Sequence, residues 1–227
     1  MTTGSEAMPP RRTFPIAGDS VVRYTLHERL NHWLAALSYV YLLMSGLALY
    51  SPYLYWMATV LGGGPSVRFW HPWVGLVFFA VVLWMDRMWR RDMRITEADR
   101  RWTRDLRKYI ENRDEELPPV ARFNPGQKQF FWVMLVGAVV LLFTGIIMWI
   151  PEYIPPSLSL VRSLAILLHV AAALVTIGAF IIHVYMGVFV VPGGLRAIVH
   201  GNVSADWARA HHPLWHQQVT QKHAARD

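Results

Sequence analysis

Histidine is the side chain in this sequence whose type and placement suit chemistry. His169 and His183 stand in the stretch Leu167–Gly187, LLHVAAALVTIGAFIIHVYMG, which is otherwise almost wholly apolar. His32 and His71 also lie in or at the edge of apolar sequence. Imidazoles in such surroundings are costly to bury and usually mark function. The chain has no cysteine, which excludes disulfides, thiolate metal sites, cysteine-held iron–sulfur clusters and C-x-x-C-H haem attachment. A redox centre here has to hang on histidine or methionine. His183 follows His169 by fourteen residues. On a helix that is about 21 Å, and the second ring returns to within roughly 40° of the first one's face. Two imidazoles then point the same way from two levels.

The elements that must position them are apolar runs of spanning length. Four are present, at about Leu30 to Tyr50, Trp73 to Trp89, Gln129 to Ile150 and Leu164 to Val191. Pro52, Pro72, Pro151 and the Pro192–Gly194 turn mark their boundaries. With 54% hydrophobic residues and a mean hydropathy of +0.25, the composition is that of a membrane protein. The net charge of +7 reports topology rather than a nucleic-acid partner, because the basic residues sit between the spans. Of the 22 Lys and Arg, only Arg68 and Arg162 fall in the connectors after spans one and three. The positive-inside rule therefore puts both termini and the central loop in the cytoplasm. Trp33, Tyr50, Trp56, Trp73, Trp89 and Trp149 crowd the predicted interfaces, as aromatic belts do. The stretch RRTFPIAGDS from Arg11 is not read as an export signal, since polar sequence follows where an apolar core is needed.

This topology sorts the four histidines by depth. His32 opens an outward span and His183 closes an inward one, so both are inner; His71 and His169 open inward spans, so both are outer. Two imidazoles facing each other from different helices suit bis-histidine ligation of haem iron, one b-type haem per pair. Zinc wants three or four close ligands, which two levels about 21 Å apart cannot supply. Gly46 lies fourteen residues after His32, on a similar face at the outer level, where a missing side chain admits the outer macrocycle; Gly75, Gly145, Gly178 and Gly187 are further candidates. The other six histidines, His27, His200, His211, His212, His216 and His223, are expected to be solvent-exposed, and HHPLWH is not read as a metal site.

The stretches LHERLNHW (Leu26–Trp33), WHPWVG (Trp70–Gly75), FNPGQK (Phe123–Lys128), LLHVAAAL (Leu167–Leu174), IIHVYMGVF (Ile181–Phe189) and HHPLW (His211–Trp215) resemble the cytochrome b, or gamma, subunit of respiratory formate dehydrogenases. The resemblance runs from about Val22 to Val219. It implies a four-helix, di-haem subunit of the bacterial inner membrane that carries electrons from an iron–sulfur subunit outside to quinone near the inner side. The molybdenum- or tungsten-pterin catalytic subunit is a separate chain, and no formate chemistry is expected here. His71 and His169 match the outer haem ligands, and His32 and His183 the inner ones. Asn124, Gly126 and Gln127 match the family's quinone pocket, for menaquinone or ubiquinone.

The expected fold is all-α, an integral membrane four-helix bundle. Residues 1–21 form an N-terminal cytoplasmic segment, 22–203 the di-haem domain and 204–227 a cytoplasmic tail. In the loop between spans two and three, Trp102, Leu106, Tyr109 and Ile110 share a helical face, which predicts a short surface helix opened by Thr96 with Asp99 as capping partner. The tail is expected to be helical from Ser204 until Pro213 stops it. Two other readings share these features: the cytochrome b of a membrane-bound nickel–iron hydrogenase, and, from a different class, a haem-free membrane anchor or metal carrier.

Overall fold

The computed structural model describes residues 20–111, 113 and 116–224, so the segment at Arg11 and the rest of residues 1–19 lie outside the described residues, as does the His223 side chain. The elements in order are β1 (Ser20–Val22), α1 (Leu26–Tyr50), α2 (Trp56–Val60), α3 (Gly64–Trp89), α4 (Glu97–Arg104), α5 (Leu106–Ile110), α6 (Pro125–Trp149), α7 (Ser159–Tyr185), a π-helical turn (Met186–Val190), α8 (Gly194–His200), β2 (Asn202–Ser204), α9 (Ala205–His211) and α10 (Pro213–Ala224). The helices α1, α3, α6 and α7 are long and apolar enough to cross a membrane. At 25 to 27 residues each, they reach about 38–40 Å, beyond the roughly 30 Å hydrocarbon core. The chain is a multi-pass, four-helix membrane bundle. Its lipid-facing side chains, among them Leu37, Val77, Phe143, Leu167 and Ile181, stand exposed, a surface stable in hydrocarbon and not in water.

All four spans begin earlier than the apolar runs, and polar caps start two of them. Thr25 caps α1: its hydroxyl accepts the Glu28 N–H and the Glu28 carboxylate accepts the Thr25 N–H at 2.8 Å. Asn124 caps α6 in the same way with Gln127, with Pro125 in the first turn; such caps contribute about 1 kcal/mol each. The largest difference is at span two. Pro72 lies inside α3, not at its start; Gly63, at φ +91°, and Pro65 open the helix instead. Pro72 cannot donate to the Arg68 carbonyl, and the span continues past that missing bond.

The bundle packs mainly as α1 on α3 and α6 on α7, with α3 and α6 joining the pairs. Tyr39, Phe78, Val82, Phe131, Leu135 and Ala138 form its buried centre. At the α6–α7 contact, a Cβ on Gly137 would run into Thr176 Cγ2, so glycine is what allows the backbones this close.

Both described chain ends lie at one end of the bundle, called the inner end below. A two-stranded antiparallel ribbon, absent from the all-helical expectation, clasps them there by pairing Ser20, Val21 and Val22 with Ser204, Val203 and Asn202. Its β-branched valines suit an extended backbone. Arg23 and Tyr24 donate their N–H groups to the Gly201 carbonyl at 2.8 and 3.0 Å. Gly201 caps α8 at φ +87°, and a Cβ there would press on the Tyr24 carbonyl. The predicted surface helix is present, opened by Thr96 with Asp99 as its capping partner, but it breaks at Asp105 into α4 and α5. Trp102 is buried while Leu106 and Ile110 are exposed. Asp99 also meets Lys128 of α6 at 2.8 Å in a buried ion pair. Burial raises the Asp99 carboxyl, but the Lys128 ammonium and the Thr96 donors outweigh it and hold it below the usual carboxylate range. As expected, Ser204 caps a helix that ends before Pro213; Pro213 then opens α10.

Candidate functional site

The four intramembrane histidines meet in two pairs. At the outer end, His71 of α3 faces His169 of α7 with ring centroids 6.5 Å apart. At the inner end, His32 of α1 faces His183 of α7 at 6.3 Å. Metal–imidazole bonds of about 2.0–2.1 Å, plus about 1.1 Å from each nitrogen to its ring centre, put two rings on opposite sides of one metal about 6.3 Å apart. Both pairs have that spacing. Among the described residues no three His, Cys, Asp or Glu converge as a metal cluster. Two nitrogens per centre fit an iron whose remaining positions a macrocycle fills.

The outer pair is held by hydroxyl groups. Ser45 Oγ, fully buried, donates to the Tyr41 carbonyl at 2.7 Å and lies 2.7 Å from His71 Nδ1. Thr144 Oγ1 donates to the Val140 carbonyl at 2.7 Å and lies 2.8 Å from His169 Nδ1. A hydroxyl has one proton; with that proton on the backbone carbonyl, its oxygen accepts from the imidazole. In that arrangement each outer ring carries its proton on Nδ1 and keeps the Nε2 lone pair free, the tautomer that can ligate a metal. The next residue in each case is glycine. A Cβ on Gly46 would lie 3.4 Å from His71 Cε1, and one on Gly145 3.3 Å from His169 Cε1. These glycines lie directly against the imidazole rings of the outer pair. Gly75 packs on Leu42, whereas a Cβ on Gly178 or Gly187 would meet nothing within 4 Å.

The inner pair is built differently. His32 lies edge-on to Trp33, and its Nδ1 is buried without a hydrogen-bond partner among the described residues. His183 lies face to face with Phe130 of α6, 4.1 Å apart and 4° from parallel. Phe130 sits one helical turn beyond Gln127. Asn124, Gly126 and Gln127 form the first turn of α6, where the Asn124 and Gln127 side chains cap each other's backbone N–H. Asn124 also donates to the Tyr109 hydroxyl at 3.0 Å, tying α5 to this turn.

Beneath the inner end lies a buried polar lock. His212, expected in solvent, is 3% exposed. Its Nδ1–H donates to the Ala121 carbonyl at 2.8 Å, and its Nε2 accepts from the Arg23 guanidinium at 3.0 Å. Tyr24, Phe123, Trp207 and Trp215 surround Arg23. Burial first, and the Arg23 charge second, push the His212 imidazole well below its ordinary range. Arg122 bonds Glu28 at 2.6 Å, and the same carboxylate oxygen accepts from Trp89 at 2.6 Å. Of the other predicted surface histidines, His27 and His200 are exposed and His211 and His216 half-buried. Sequence reasoning missed Ser45, Thr144 and Phe130. The legible trace was a hydroxyl–glycine dipeptide on the preceding span, Ser45–Gly46 and Thr144–Gly145, standing 26 and 25 residues before a histidine.

The model of the prokaryotic cytochrome b561 family matches residues 23–201. The formate dehydrogenase cytochrome b556(fdo) subunit of Escherichia coli K12 is 36% identical over 202 residues, covering 88% of this chain and 94% of the relative. The cytochrome b556 subunit of formate dehydrogenase from Haemophilus influenzae is 33% identical over 201 residues, covering 87% and 83%. The nitrate-inducible formate dehydrogenase cytochrome b556(Fdn) subunit of E. coli K12 is 29% identical over 210 residues, covering 91% and 95%. A cytochrome b binds haem b, and the histidine pairs are the residues of this bundle suited to hold it. The chain belongs to the prokaryotic cytochrome b561 family, in which its relatives are the cytochrome b556 subunits of formate dehydrogenases.

Proposed function

We propose that this chain is the di-haem b subunit of a formate dehydrogenase complex, conducting electrons from an iron–sulfur subunit on the outer side to quinone at the inner side of the bacterial inner membrane. The observation that carries this reading is the pair of bis-imidazole spacings, 6.5 and 6.3 Å, at two levels of one helix, α7. His71 and His169 hold the outer haem, and His32 and His183 the inner one. A haem b at each pair supplies one-electron transfer. Ser45 and Thr144, bonded to Nδ1 of the outer rings, would leave each Nε2 free to ligate the iron. The catalytic subunit, with its molybdenum- or tungsten-pterin, is a separate chain and oxidises formate to carbon dioxide, releasing one proton and two electrons.

The quinone site lies at the first turn of α6, beside the inner haem. Phe130, stacked on His183 one turn beyond Gln127, supports this placement. The half-buried Gln127 amide NH2 and the backbone N–H at Gly126 supply hydrogen-bond donors for a quinone carbonyl, while the buried Asn124 side chain, engaged with Gln127 and Tyr109, holds that turn in place. Two electrons and two cytoplasmic protons reduce menaquinone or ubiquinone to the quinol. The basic residues at the inner end support cytoplasmic termini.

A reduced-minus-oxidised spectrum of the purified complex, with a haem-to-protein ratio, tests the reading. Two b haems per chain, reduced by formate and not by hydrogen, are expected. One haem per chain removes the pairing scheme; reduction by hydrogen alone assigns the chain to a hydrogenase; no haem in a folded complex leaves the anchor or carrier reading. With both haems retained, Gln127→Ala should slow quinol formation, and unchanged quinone kinetics would move the site away from α6.

A further inference from the structure

We infer that Ser45 and Thr144 are positioning residues that hold the outer haem at a lower potential than the inner one and so set the direction of electron flow; the inference rests on the di-haem reading. Each hydroxyl is committed as a donor to its own helix, Ser45 to the Tyr41 carbonyl and Thr144 to the Val140 carbonyl. With Nε2 on the iron, Nδ1 carries the ring proton, and the hydroxyl 2.7 Å from His71 Nδ1 and 2.8 Å from His169 Nδ1 is its acceptor. Drawing the Nδ1 proton outward leaves more electron density on Nε2. A more basic axial ligand favours the oxidised iron and lowers its potential.

The two centres differ in this respect. Both outer rings meet a buried hydroxyl. At the inner centre, the His32 Nδ1 is buried with no acceptor among the described residues, and Phe130 stacks on the His183 ring. The inner iron thus has at least one ligand of weaker donor strength, which raises its potential. Electrons arriving from outside then run downhill along α7 to the quinone side. The glycines beside the hydroxyls keep the geometry close: Cβ atoms at Gly46 and Gly145 would lie 3.4 and 3.3 Å from the Cε1 atoms of the two rings.

A potentiometric titration of the purified complex, followed at the b-type absorption and by electron paramagnetic resonance, resolves the two midpoints. In the wild type the lower midpoint belongs to the haem lost in His71→Ala. Thr144→Val, which keeps the side-chain shape and loses the acceptor, is expected to raise that midpoint and leave the other in place. Thr144→Ser keeps the acceptor and is expected to titrate like wild type. Ser45→Ala reports the same effect at the facing ligand, should Thr144→Val not retain haem. The inference is overturned if Thr144→Val leaves both midpoints unmoved, if it shifts them equally, or if Thr144→Ser shifts as far as Thr144→Val. A wild type without two haems defeats the underlying reading instead, whatever the variants do.

Discussion

At the scale of single residues, each histidine pair draws its two members from different helices, and only α7 contributes to both. His71 and His169 belong to the outer level and His32 and His183 to the inner, so ligand loss should be level-specific. His71→Ala should remove the outer haem, stop electron entry and leave the inner haem titratable by direct reduction. Pyridine-haem quantification next to a dithionite difference spectrum measures this; loss of the inner haem alone would invert the assignment of levels. The sequence disclosed these four residues because imidazoles in apolar runs are rare and costly, and depth alone sorted them. It did not disclose the hydroxyls that hold the outer rings. Serine and threonine are common in membrane helices and usually bond their own backbone, so only the three-dimensional neighbour reveals their second role.

At the scale of elements, apolar runs and proline markers showed all four spans but misplaced their starts. The first turns of α1, α3 and α6 are polar or rich in glycine and proline, and hydropathy does not register a cap. Pro72 suggests a start because proline ordinarily opens a helix, whereas Pro65 has that role in α3. The lock at the inner end was illegible for another reason: Arg23 and His212 stand 189 residues apart, beyond any local pattern. His212 is neutral in the fold, since it accepts from a guanidinium, and its folded affinity for protons lies below that of the unfolded chain. Above the ordinary value of 6.5 both states are neutral and its full contribution is present. As pH falls below that value the unfolded state takes up the proton first, and stability drops. Melting followed by tryptophan fluorescence between pH 7.5 and 5.5 should therefore fall more steeply for wild type than for His212→Gln. Parallel curves would show that this imidazole does not govern the acid sensitivity.

At the scale of the whole molecule, the bundle places its proposed electron entry and its proposed quinone site at opposite ends of spans about 38–40 Å long. Electrons crossing inward, with protons taken from the cytoplasm, separate charge. Reconstituted into vesicles with the termini inside and a quinone in the bilayer, the complex should develop an interior-negative potential on adding external formate, read by a voltage-sensitive dye. Formate oxidation with no dye response would place the quinone site at the outer end. The fold class and the two levels were legible from residue types and charge placement. The ribbon between β1 and β2 was not, since three-residue strands leave no periodicity to read.

That ribbon carries a consequence for how the protein is made. It joins Ser20 to Ser204 and so clasps the two described chain ends together at the inner end, and the inner pair joins His32, in the first span, to His183, near the end of the last. A ribosome delivers the N-terminal partners long before their mates. Until α7 has emerged, His32 waits without its opposite ring and β1 without its neighbour. The inner end is therefore the last part of the bundle to close, and a copy that stops before α7 lacks both the clasp and the inner pair.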